Sequence, residues 1–208
     1  MFEKHWGEQE KPEEKKKGGQ DIIYKEPSFV EVVENRIYFY SDIGRDQILQ
    51  LNRRLRETAN EMIRGGIIQN REPAVIYLHI NSYGGGIFHG LAGMDTVLQS
   101  KVPVITIIDG CCASAATFLS VAGKRRLIHS HGFMLIHQLS AVTWGKFREL
   151  QDDNVNFKKL METIKRVYAE YTKVPEKKID EILDHDLWFD ADTCVKYGLV
   201  DEIILKEK

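Results

Sequence analysis

Between residues 29 and 205 the chain alternates two hydrophobic patterns: short runs that are almost continuously apolar or β-branched, and longer runs in which apolar side chains recur every three or four positions. The first reads as strand and the second as amphipathic helix. Residues 29–33 and 36–40 predict two paired strands with Glu34 and Asn35 as the turn. Ile48, Leu51, Leu55, Ala59 and Met62 lay one apolar stripe along a helix over 46–64, which Gly65 and Gly66 are expected to stop. The run 74–80 is too apolar for a strand wetted on one side, so it is expected in a largely parallel sheet covered on both faces. A glycine-rich turn over 81–86 then leads into a helix carrying Leu91, Met94, Val97 and Leu98.

The unit recurs: a buried strand over 102–108, a tight turn of small residues over 109–113, and a helix over 114–122. Two such units in succession predict right-handed crossovers and an α/β fold. Shorter strands are expected over 126–129 and 133–136, followed by a long helix over about 146–172 with Phe147, Leu150, Leu160, Ile164, Val167 and Tyr171 on its stripe. So long a helix is expected to project from the core and to need a partner for its apolar side, such as another subunit. Pro175 suits the start of a helix to Leu183, Asp190 the cap of another, and Gly198 its end before a last strand over 199–205.

Composition narrows the class. A chain of 208 residues, 43% hydrophobic, can bury one substantial core, so one domain over 29–208 with an appendage is expected. The first 20 residues hold five lysines and five glutamates that cancel, without apolar periodicity, and residues 1–28 are read as a flexible arm, propeptide or axial loop. No run approaches the roughly 18 apolar residues of a membrane span and no secretory signal opens the chain, so no membrane partner and a cytoplasmic location are expected. A net charge of −2 argues against a nucleic-acid partner, since phosphate binding needs clustered Lys and Arg. Three cysteines, with Cys111 beside Cys112, form neither a disulfide framework nor a metal-binding pair and suit apolar packing; no cofactor or metal is expected.

Against that background one chemistry has candidates. A serine hydroxyl attacks a carbonyl only when a base takes its proton and fixed donors receive the developing oxyanion. Ser114 stands between a buried strand and a helix, preceded by the small residues Gly110, Cys111, Cys112 and Ala113, and the amide of Ala115 is free at the helix start to face an oxyanion. The alternative is that Ser114 is simply a helix cap. Gly84, Gly85 and Gly86 open another helix and can supply a second donor amide; they can equally cradle a phosphate, although neither nucleotide-binding glycine motif is present. His137 ends an apolar strand, where functional residues of α/β sheets gather. Of the other histidines, His89 on its helix stays in contention. Asp186, just before an apolar pair expected to anchor it, can orient a histidine; Asp184 is its rival.

Taken together these segments resemble the Clp protease proteolytic subunit family, of the ClpP/crotonase superfold. Ile80-Asn81-Ser82-Tyr83-Gly84-Gly85-Gly86 is similar to the family's oxyanion loop, Gly110 to Ala116 to its nucleophile turn, and Met134-Leu135-Ile136-His137-Gln138 to its histidine segment. Tyr197-Gly198-Leu199-Val200-Asp201 repeats its closing motif, and counting back from there puts the family's aspartate on Asp186. The resemblance implies stacked βαβ units with a projecting handle helix, and a serine endopeptidase with Ser114 as nucleophile, His137 as base and Asp186 as orienting acid. It further implies oxyanion donors at Gly85 and Ala115, substrate contacts at Gly84, Gly86 and Gln138, heptameric rings stacked in pairs, and a separate AAA+ unfoldase that feeds unfolded protein. Tyr83, Gly86, Ala115, Ala116 and Leu139 depart from the family pattern and mark a divergent branch. The rivals are a crotonase-type acyl-CoA enzyme, which needs paired amides but no triad, and a non-catalytic or capsid-associated assembly subunit.

Overall fold

The protein is described by a computed structural model covering residues 29–70 and 74–205, so the arm expected over 1–28 lies outside the described residues. Strands β1 (Val30–Val33) and β2 (Arg36–Tyr40) pair antiparallel across a turn at Glu34, whose φ is 54°. There follow helix α1 (Arg45–Gln69), β3 (Ile76–Ser82), α2 (Ile87–Leu98), β4 (Val104–Ala113), α3 (Ala116–Val121), β5 (Arg125–His129) and β6 (Phe133–Leu135). The chain closes with the long α4 (Phe147–Tyr171), α5 (Glu176–Leu183), β7 (Trp188–Phe189), α6 (Ala191–Lys196) and β8 (Glu202–Ile204). The sheet runs β1-β2-β3-β4-β5-β8, parallel from β2 onward, while β6 pairs with β4 and antiparallel with β7.

Side-chain alternation sends Ile76, Leu78 and Ile80 of β3 and Val104 and Ile108 of β4 to one face, where they join Leu51 and Leu55 of α1, Met94 and Val97 of α2, and Phe118 and Leu119 of α3 in one core. At about 1.5–3 kcal/mol for each fully buried apolar side chain, these contacts hold sheet to helices. Exposed pairs such as Arg53–Glu57 add about 0–1 kcal/mol. The other face departs from the expected double covering. Arg36, Tyr40 and His129 are exposed there, and a polar cluster of Arg36, His79, Asp109 and Tyr40 is tied by hydrogen bonds. β3 read as continuously apolar because Tyr77 and His79 are β-favouring residues, although their face is not the helix-covered one.

Two other expectations are corrected. Helix α1 runs through Gly65 and Gly66 and ends at Asn70, which adopts φ 48°; a helix-interior glycine costs only about 1 kcal/mol, which is not enough to dictate a stop. Residues 109–113, expected as a turn, belong to β4. The strand pairs with β5 through Ile105–Ile108, bends at Gly110 (φ 83°), and then pairs with β6 through Cys111–Ala113. Small residues there let one strand change partners.

Asp190 caps α6 by accepting the Thr193 amide at 2.9 Å. At the closing motif Arg126 donates to the Gly198 and Tyr171 carbonyls and to Asp201, joining β5, the end of α4 and the last loop. Helix α4 buries only Ile164, Val167 and Tyr168, all in its second half. No described helix is long and apolar enough to cross a membrane.

Candidate active site

Ser114 follows the last residue of β4 and adopts φ 53°. That left-handed conformation costs a non-glycine residue roughly 1–2 kcal/mol. Three hydrogen bonds hold it: the Ser114 amide donates to the Leu135 carbonyl at 2.8 Å, and the Ser114 carbonyl accepts from the Thr117 amide at 3.0 Å and the Thr117 hydroxyl at 2.6 Å. At about 1 kcal/mol each they outweigh the strain. Helix α3 starts after this turn with Ala115 as its cap residue, and no side chain caps it. The hydroxyl of Ser114 is therefore not spent on helix capping.

The glycine loop is fastened to the segment before α1. Ile43 donates to the Gly84 carbonyl at 2.8 Å and accepts from the Gly86 amide at 2.9 Å, while the Gly84 amide donates to the buried Ser82 hydroxyl at 3.1 Å. Gly84 has φ 99°, and a Cβ on it would stand 2.6 Å from the Ser114 Cβ and 2.7 Å from the Ala113 carbonyl oxygen. Only glycine lets loop and turn approach so closely. Between them, the amides of Gly85 and Ala115 have no hydrogen-bond partner among the described residues.

The ladder Ala113↔Leu135 carries the chain to His137, two residues beyond β6, so that His137 and Ser114 line the same cavity. The Gln138 amide donates to the Leu183 carbonyl at 2.7 Å, which ties the histidine segment to the end of α5. From the loop that follows, Asp186 brings Oδ1 to 3.8 Å from His137 Nδ1, whereas Asp184 ends α5 with its amide bonded to the Asp180 carbonyl. Of the apolar residues after Asp186, Leu187 is 61% and Trp188 43% exposed, and the loop is anchored through Trp188 and half-buried Phe189, which pair with Leu135 and Met134 in the β6–β7 ladder.

The three groups are gathered but not closed into a chain. The 3.8 Å separation exceeds a hydrogen bond, the Asp186 side chain is 79% exposed, and no hydrogen bond joins Ser114 to His137 among the described residues.

The cavity measures about 1030 Å³. Gly85, Gly86, Ser114, Ala115, His137 and Gln138 edge it, and Phe118, Phe157, Leu160, Ile164 and Tyr168 give it an apolar interior. Gly84 is not at its surface but behind it, packed on the turn at Ser114. His89, beside Gly86 on α2, also faces the cavity. Two contributors escaped sequence reasoning. Thr117 sits in what reads as a small-residue helix, and Tyr168 lies beside the predicted stripe of α4, yet their hydroxyls meet at 2.7 Å in the buried core. Fifty-one positions separate them, and no local pattern connects them.

An ATP-dependent Clp protease proteolytic subunit of Chlorokybus atmophyticus is 31% identical over 188 residues, covering 88% of this chain and 83% of the relative. The subunit of the same description from Mesostigma viride is 30% identical over 188 residues, covering 88% and 81%. A mutant ClpP1 from Listeria monocytogenes superposes with a TM-score of 0.71 at 23% identity, over 84% of this chain and 93% of that one, so the fold is ClpP/crotonase-like. Residues 33–207 match the family model for Clp protease, and the chain belongs to the Clp protease family.

Proposed function

We propose that the chain is a serine endopeptidase. Ser114 attacks the peptide carbonyl, His137 takes its proton and passes it to the leaving amine, and Asp186 holds the imidazole in the tautomer that can accept from serine. The amides of Gly85 and Ala115 receive the oxyanion, Gly86 and Gln138 shape the binding of the extended substrate, and Gly84 holds the glycine loop against the turn at Ser114. The observation that carries this reading is the coincidence, at one apolar cavity, of a serine held at φ 53°, a histidine and two unpartnered amides. Closing the acid–base chain requires the His137–Asp186 separation to shorten by roughly 1 Å to reach hydrogen-bond range.

The working form is a cytoplasmic homo-oligomer of heptameric rings, paired through α4, whose chamber admits unfolded chains delivered by a separate AAA+ unfoldase. Two features support a partner of this kind: the matched relatives are described as ATP-dependent, and this chain has no nucleotide-binding glycine motif of its own. Unaided, it should cleave only short peptides.

A fluorophosphonate probe tests the chemistry. The wild-type protein is expected to be labelled on Ser114, as read by peptide mapping, and Ser114→Ala to remain unlabelled. Labelling that persists in Ser114→Ala would remove the basis of the reading.

A further inference from the structure

We infer that Tyr168 and Thr117 form a hydrogen-bonded relay from α4 that aims the Ser114–Ala115 peptide, and with it the Ala115 oxyanion donor. This rests on the serine-peptidase reading above and deepens it.

The direction of the relay follows from proton counting. Thr117 Oγ1 lies 2.6 Å from the Ser114 carbonyl oxygen and 2.7 Å from the Tyr168 hydroxyl. A carbonyl can only accept, and threonine has a single hydroxyl proton, so that proton goes to Ser114. Tyr168 must then be the donor to Thr117. Thr117 is 0% and Tyr168 1% exposed, so the relay is dry and each bond polarises the next. Burial also pushes the Tyr168 phenol well above its ordinary pKa, so it stays a donor throughout the working range.

What the relay holds matters more than its strength. The Ser114 carbonyl and the Ala115 N–H belong to one planar trans peptide and point in opposite directions. Fixing the carbonyl therefore fixes the amide. Oxyanion donors accelerate reaction because they are aimed before charge develops, so an amide free to tilt loses much of its effect. The Thr117 amide also bonds this carbonyl at 3.0 Å, but that contact lies wholly within the turn. Among the described residues only the hydroxyl pair ties it to α4, where Tyr168 packs on Phe118 with ring centroids 6.0 Å apart. Since α4 buries just three residues, Tyr168 is a principal point where its seating is felt by the nucleophile turn. Tyr168 and Thr117 are thus positioning residues.

The test uses the full chain with Tyr168→Phe, which removes one hydroxyl and keeps the ring, Thr117→Val, Thr117→Ser and the Tyr168→Phe/Thr117→Val double variant. Steady-state cleavage of a fluorogenic peptide, inhibition by a peptide boronate, thermal melting and native mass are measured for each. Tyr168→Phe is expected to lower kcat about tenfold with KM within about twofold, and to weaken boronate binding by a similar factor. Thr117→Ser should keep most of the wild-type kcat. The double variant should be no slower than Thr117→Val alone, since both break the same relay. Wild-type kcat in Tyr168→Phe would overturn the relay, as would additive losses or losses that follow melting or native mass. If the wild type is labelled by fluorophosphonate through Ser114 and Tyr168→Phe is unchanged, the relay alone falls. If the wild type is not labelled at all, the peptidase reading falls with it.

Discussion

Gly84 is where the oxyanion loop and the nucleophile turn come closest, and its φ of 99° leaves no room for a side chain. Gly84→Ala should cost about 1–3 kcal/mol, through backbone strain and a Cβ pressed on Ser114. A lower denaturant midpoint together with slower fluorophosphonate labelling would record both effects. The two aspartates also stand in different places. Asp186 faces His137, while Asp184 ends a helix. In peptide-cleavage assays Asp186→Asn is therefore expected to lower kcat by about two to four orders of magnitude, because the imidazole loses its orienting acceptor. Asp184→Asn should stay within about twofold of wild type.

Among the elements, α1 shows how a helix absorbs residues that read as its end. Nothing lies within 4 Å of a Cβ added at Gly65, so Gly65→Ala should stabilise the protein by about 0.5–1 kcal/mol in chemical denaturation. Across the sheet, Asp109 joins three strands: its carboxylate accepts from His79 of β3 at 2.8 Å and from Tyr40 of β2 at 2.5 Å. His129 Nε2 of β5 comes within 3.2 Å of the other oxygen, which nonetheless lacks a partner with hydrogen-bond geometry. Burial pushes this carboxyl upward, but the bonds from His79 and Tyr40 outweigh it and hold Asp109 below its ordinary pKa. A depressed folded-state pKa contributes stability that is complete above the unfolded value of about 3.9 and is lost as pH falls from there through the folded value. Asp109→Asn should therefore flatten the acid limb of stability against pH, measured by denaturant midpoints between about pH 2 and 5.

At the scale of the whole molecule, the exposed first half of α4 is the feature that a lone chain does not account for. Phe147 is 76% and Val155 53% exposed, and Trp144 just before the helix is 73% exposed. If this helix pairs subunits, native light scattering should give a mass many times the 24.0 kDa of one chain. Val155→Glu should shift the population to smaller species without lowering the melting temperature of the fold, because the side chain contributes little to the core. A monomeric wild type would refute the assembly.

Periodicity was enough to place the helices and every strand except the two-residue β7 in order, because apolar spacing is a local property written every two or three to four residues and two residues are too few to show it. Small residues before Ser114, glycines after β3 and a histidine at a strand end likewise marked the candidate chemistry, since tight turns and exposed amides have compositional needs. What local pattern could not carry is who meets whom. The change of partner along β4, the polar face of the sheet, the approach of Asp186 rather than Asp184, and the Thr117–Tyr168 contact all join residues far apart in the chain. Such pairings depend on three-dimensional packing and the satisfaction of buried polar groups, which no run of neighbouring residues specifies.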